Sequence, residues 1–312
     1  MYTESKLENY LKGLGSLDPI IGFAMNEKKK PPLTKEQIQE LREDLKLADT
    51  LTRIENTLLI LSGKGGVGKS TVAVNLAAAL AASDRQVGLL DIDIHGPSIP
   101  TMLALEGAEV GRGLGSRLEP IKISKNFKVM SMEFVMRDSK DQAVIWRGPM
   151  KHRMIHEFLS EVDWGDLDFL IVDAPPGTGD EPLSICQMAP PRSQAVIVTT
   201  PQVVAIRDVK KSINFCKSLG MPVFGIIENM SGFVCPTCGS SHALFKSGGG
   251  EKLARETGFR FLGSIPIDPR IVTSSDDGAP FVSAYPTSPT YKAFEEIISP
   301  ILALSAPRLK KH

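Results

Sequence analysis

An apolar run, Thr57-Leu58-Leu59-Ile60-Leu61, leads straight into Ser62-Gly63-Lys64-Gly65-Gly66-Val67-Gly68-Lys69-Ser70-Thr71, and a helix-forming stretch over 71–82 follows. Residues 63–70 read G-x-x-x-x-G-K-S. No other feature constrains the fold as much. A strand that turns through glycines into a helix N-terminus aims unpaired backbone N–H groups and the positive end of the helix dipole at one point, which suits an anion. Gly63, Gly65, Gly66, Val67 and Gly68 are expected to wrap the phosphates. Lys69 is expected to reach the β- and γ-phosphates, and Ser70, with Thr71 beside it, to hold Mg²⁺ through its hydroxyl. The chain is predicted to bind a nucleoside triphosphate.

From Thr57 onward, short apolar runs alternate with helix-like stretches. Runs at 58–61, 87–90, 127–130, 169–172, 195–199, 223–227 and 261–264 are mostly continuous rather than alternating, as suits strands covered on both faces of a mostly parallel sheet. Helices are read at 150–162, 203–219, 250–257 and 291–304. This alternation predicts an α/β, doubly wound fold of the P-loop NTPase type, with ligands at the carboxyl ends of the strands. Residues 1–55 read as a helical N-terminal extension, with helices at 5–14 and 34–52 separated by Lys28-Lys29-Lys30-Pro31-Pro32. Thr34 and Gln37 are spaced as a capping box for the second helix. Residues 56–312 read as the P-loop ATPase domain, including a C-x-x-C motif.

Lysine plus arginine equals aspartate plus glutamate at 36 each, so the 312-residue chain carries no net charge. Bulk electrostatic attraction to nucleic acid or anionic lipid is not expected. No apolar run approaches a membrane span, and the first ten residues lack the basic start and apolar core of a secretory signal. Four cysteines do not make a disulfide framework in a chain of this size. A reducing, cytoplasmic setting is expected.

Lys64 is a second lysine in a loop already served by Lys69. It is either a solvated side chain or a lysine that reaches across a two-fold interface to neutralise charge on the partner's transferring phosphoryl group, as an arginine finger does. Leu89-Leu90-Asp91-Ile92-Asp93 puts two carboxylates just past a strand. Asp91 is expected to position Mg²⁺-bound water, and Asp93 to orient the water that attacks the γ-phosphate. Phe169-Leu170-Ile171-Val172-Asp173, followed by Ala174-Pro175-Pro176-Gly177-Thr178-Gly179-Asp180, has the Walker B pattern. That places Asp173 at the Mg²⁺ and makes the turn a switch that senses the γ-phosphate. Asn229 is read as a hydrogen-bond partner for the adenine edge, and Ile265-Pro266-Ile267-Asp268 as a cover over the base, with Pro266 in contact.

Cys235-Pro236-Thr237-Cys238-Gly239 can direct two thiolates at one metal, but a closed site needs four ligands. Cys186 and Cys216 lie in helix-like runs and read as packing residues. Two chains on a two-fold axis supply four thiolates, which suit either [4Fe–4S] or Zn²⁺. His242 keeps a one-chain zinc site open. Spacing alone does not choose among these.

Taken together, residues 58–280 resemble the Mrp/ApbC-type ATPases, which are iron–sulfur cluster carriers or scaffolds. They belong to the deviant Walker A class with MinD, ParA and the nitrogenase iron protein. The resemblance rests on the loop with Lys64, DIDIHGPSIP from Asp91, Trp146-Arg147-Gly148-Pro149, VDAPPGTGD from Val172, VTTPQ from Val198, ENMS from Glu228, CPTCG from Cys235, GGGEKL from Gly248 and IPIDP from Ile265. It implies a homodimer, or a heterodimer with a related subunit, that delivers its cluster to apoproteins. It further implies one [4Fe–4S] cluster held by Cys235 and Cys238 of both protomers, Lys64 acting across the interface, Lys69, Ser70 and Thr71 on phosphate and Mg²⁺, Asp93 on the water, Asp173 on the metal and Asn229 on adenine. Residues 1–56 hold no cysteine, so a second cluster there is not expected. Two other readings are a MinD- or ParA-like positioning ATPase, which leaves the C-x-x-C without a role, and a zinc-bridged dimer regulated by nucleotide.

Overall fold

The computed structural model of the chain describes residues 34–94, 96, 98–113, 117–135, 148–190, 192–234, 241–242 and 247–305. The sequence divides into two units, Met1–Arg42 and Glu43–His312. The described part of the first is the start of helix Lys35–Thr52, which continues into the second. The expected helix at 5–14, the lysine–proline segment, Trp146, Arg147, Cys235 and Cys238 lie outside the described residues.

The second unit is built on an eight-stranded sheet. In chain order its strands are β1 (Ile54–Leu61), β2 (Val87–Asp91), β3 (Ile121–Ser124), β4 (Phe127–Ser131), β5 (Leu167–Asp173), β6 (Ser193–Thr199) and β7 (Val223–Glu228), and, after a two-stranded hairpin of β8 (Phe233–Val234) and β9 (Ser241–His242), β10 (Phe261–Ser264). The spatial order is β10-β7-β6-β1-β5-β2-β4-β3. Every neighbouring pair is parallel except β3 with β4. The predicted doubly wound, mostly parallel α/β sheet is therefore present, and all seven strands read from the sequence are in it. Two departures have a common cause, which is polar residues in strand positions. β1 starts earlier than its apolar run, because Ile54 and Asn56 are buried and the Asn56 amide donates to the Asp168 carbonyl at 3.2 Å. β3 was not anticipated. It is a four-residue edge strand, Ile-Lys-Ile-Ser, whose lysine and serine face solvent.

The helix after the phosphate loop, Lys69–Ala82, is buried continuously from Val72 to Leu80. A helix apolar on all sides must be covered on all sides. The sheet covers one face, and helices Phe281–Ala284 and Pro289–Leu302 cover the other. Its one interior polar residue, Asn75, accepts from the Val282 N–H at 3.0 Å and donates to the Thr71 carbonyl at 2.8 Å, so no polar atom is stranded. Because β7, β6, β1, β5 and β2 run parallel, their carboxyl ends share one edge. Ser62, Asp91, Asp173, Thr199 and Glu228 are brought together there.

Candidate nucleotide and metal site

The phosphate loop closes as its sequence demands. Gly68 caps helix Lys69–Ala82 with φ 78°, in the left-handed region, and a Cβ there would run into the Asn229 amide. Gly63 is packed against the backbone and side chain of Asp208, leaving no room for a side chain. Asn229 Nδ2 donates to the Val67 carbonyl at 2.8 Å, and its own N–H donates to Thr199 O at 2.8 Å. The residue expected at the adenine edge thus also holds the phosphate loop against the end of β6.

Beneath the loop lies a buried charge cluster. Lys69 Nζ meets Asp173 Oδ1 at 2.6 Å, with the side chains 7% and 1% exposed. Asp173 stands directly opposite Asp91 in the β2–β5 register. Burial raises the Asp173 carboxyl above the usual carboxylate range, and Lys69 opposes that push. Asp173 Oδ2 is buried without a hydrogen-bond partner among the described residues. That hard oxygen, on a carboxylate whose proton affinity the Ser70 hydroxyl lowers, fits a Mg²⁺ ion with its waters. Asp91 differs. Its Oδ1 accepts the Asp93 N–H and its Oδ2 accepts the Ser131 hydroxyl, each at 3.0 Å. Burial, then the facing Asp173, pushes the Asp91 carboxyl up to about 8, against the pull of the Asp93 N–H, Lys69 and Ser131.

A carboxyl raised above its unfolded value costs stability once pH passes that value, about 3.9, and the cost grows until pH reaches the folded value. Asp91→Asn keeps the shape and removes the titration. In nucleotide- and metal-free protein its Tm should exceed wild type at pH 7.5, by about 1–2 °C for each kcal/mol gained. That margin should shrink as pH falls to 4. Thermal unfolding at both pH values checks this, and an equal margin at the two would contradict it.

The turn after β5 is tied to the loop, for Gly177 N–H donates to Ser62 O at 2.9 Å. Helix Asp180–Met188 follows the turn and carries Glu181, whose carboxylate meets Lys151 of helix Gly148–Ser160 at 2.7 Å in a buried pair. Lys64 is partly exposed, and its Nζ donates to Gln202 Oε1 of the same chain at 3.2 Å. Pro266 is partly buried beyond β10. The C-x-x-C falls between β8 and β9, with His242, its side chain exposed, opposite Phe233. That hairpin starts from the carboxyl end of β7, the sheet edge that also carries the phosphate loop. Cys186 and Cys216 are free thiols in helices, and burial pushes them up to about 12 and about 11, so both stay protonated and inert. Ser131, Glu181 and Lys151 were not singled out by the sequence.

Fold and site define a P-loop nucleotide-binding protein with a lysine-bearing, deviant Walker A loop. A family model described as ParA, the NUBPL iron-transfer P-loop NTPases, matches residues 53–302, and the chain belongs to that family. It is 50% identical over 254 residues to a cytosolic Fe-S cluster assembly factor NUBP2 homolog of Trichoplax adhaerens, covering 80% of this chain and 95% of that one. It is 51% identical over 241 residues to the iron-sulfur cluster carrier protein of Methanocaldococcus jannaschii, covering 77% and 82%. Among solved structures, the nucleotide-binding protein of Archaeoglobus fulgidus, in complex with ADP and with cobalt found, superposes with a TM-score of 0.70 at 37% identity, covering 86% of this chain and 99% of that one. The resemblance drawn from the motifs is thereby met at the level of the family. Among the described residues no helix is long and apolar enough to cross a membrane.

Proposed function

We propose that this chain is an ATP-hydrolysing iron–sulfur carrier of the cytoplasm. It works as a homodimer, or as a heterodimer with a related subunit, and passes a [4Fe–4S] cluster to apoproteins. One observation carries the reading: the C-x-x-C lies in sequence between β8 and β9, a strand pair that follows the carboxyl end of β7, at the same sheet edge as the phosphate loop. Family membership and the names of the relatives support the nature of the cargo. Cys235 and Cys238 of two chains would hold one cluster, and a centre shared between subunits by two thiolates each is suited to release.

In the nucleotide pocket, the loop N–H groups and Lys69 bind the phosphates, and Asn229 and Pro266 flank the base. Ser70 and Asp173 would hold Mg²⁺, which when bound supplies positive charge against the developing phosphoryl charge. Asp91, with both oxygens engaged, fixes the backbone of Asp93, and Asp93 orients the attacking water. Lys64 exchanges its neutral Gln202 partner for the phosphates of the facing subunit.

Anaerobic reconstitution with iron and sulfide tests the cargo. The wild type should turn brown, and the visible absorbance should be absent in Cys235→Ala. A colourless protein that retains zinc would overturn the reading in favour of a zinc-bridged dimer.

A further inference from the structure

We infer that Glu228 is a positioning residue for the cysteine-bearing segment, clasping the two roots of that segment with one buried carboxylate. The inference rests on the carrier reading for its purpose but on the geometry for its substance.

Glu228 ends β7 and is fully buried. Its Oε1 accepts the Ser231 hydroxyl at 2.5 Å and the Gly248 N–H at 2.9 Å, and its Oε2 accepts the Gly250 N–H. Ser231 lies just before β8. Gly248 and Gly250 lie just after the segment, at the cap and first turn of helix Gly249–Thr257. The carboxylate therefore meets unpaired N–H groups and the positive end of a helix dipole as well. A Cβ on Gly250 would sit 3.0 Å from that of Glu228, so a side chain there would push the carboxylate away by a few tenths of an ångström.

The first root is also fixed on its other side. Ser231 N–H donates to Ile265 O at 2.9 Å, and Ile267 N–H donates to Gly232 O at 2.8 Å. The next residue, Asn229, holds the Val67 carbonyl of the phosphate loop. Two consecutive side chains at one strand end thus grip the nucleotide loop and the roots of the cysteine segment. Nothing in the fold of the sheet requires a carboxylate here, since the strand's backbone is already paired with β6 and β10.

The test uses the reduced, cluster-free full chain. Iodoacetamide labelling is followed cysteine by cysteine by peptide mass spectrometry, in wild type, Glu228→Gln and the milder Ser231→Ala. Buried Cys216 reports any general loosening. Glu228→Gln should speed labelling of Cys235 and Cys238 on the order of tenfold, the effect of losing about one charge-assisted hydrogen bond from a local opening equilibrium. Ser231→Ala should do so less. ADP affinity should stay within about threefold of wild type, and Cys216 should stay unlabelled. After reconstitution, a chelator should bleach Glu228→Gln faster than wild type. Unchanged rates at Cys235 and Cys238 in both variants, or a rise at Cys216 in step with them, would overturn the clasp. If the rates change as expected while even wild type takes up no cluster, the clasp stands and the carrier reading falls.

Discussion

Lys64→Ala is expected to bind ATP with wild-type affinity, within about threefold, and to lose hydrolysis by on the order of 10³-fold in kcat. On the proposed reading Lys69, held by Asp173, meets the phosphates, and their binding then needs no second lysine. Lys64 rests instead on a neutral Gln202 amide at a partly exposed position, a contact easily given up. Complementation separates action across the interface from action within one chain. In a dimer of one Lys64→Ala chain and one Lys69→Ala chain, only action across the interface assembles a pocket with both lysines. Equal mixing should then restore about a quarter of wild-type turnover, since half the dimers are mixed and each has one competent site of two. Mixtures no more active than their parents would contradict this role.

Lys69→Ala should abolish nucleotide binding and also weaken the empty fold. Removing one partner of a buried ion pair costs about 3–5 kcal/mol when the other stays charged. Asp173 is already raised by burial, and it can take up a proton and soften that cost. The loss should accordingly be larger at pH 8 than at pH 5. Lys69→Ala with Asp173→Asn removes the stranded charge and should regain most of the stability while still failing to bind nucleotide. Denaturant unfolding and nucleotide titration on both variants measure the two effects separately. A double variant no more stable than Lys69→Ala at pH 8 would mean that the pair is not what the fold loses.

The parallel strands were legible because burial on both faces leaves uninterrupted apolar runs, as in Leu58-Leu59-Ile60-Leu61. The phosphate loop was legible because its chemistry is local, with glycines, a lysine and a hydroxyl in one turn. β3 escaped because an edge strand needs only one apolar face. The start of β1 escaped because Glu55 and Asn56 look like loop residues until the neighbouring strands are in place. Glu228 was noticed only as part of a motif. Its partners Gly248 and Gly250 lie twenty or more positions away, and hydrogen bonds across that distance leave no periodic trace. The same holds for Ser131, forty residues from Asp91, and for the Lys151–Glu181 pair. A signal of sorts existed for Glu228, since an acidic residue ending an apolar strand must find donors if it is buried.

Native mass spectrometry of the anaerobically reconstituted protein, with ATP and Mg²⁺ present, tests the central claim most directly. The account predicts two chains carrying one [4Fe–4S] cluster between them, with the cluster mass lost when Cys235 is replaced by alanine. A single chain that holds nucleotide and metal without a partner would contradict it.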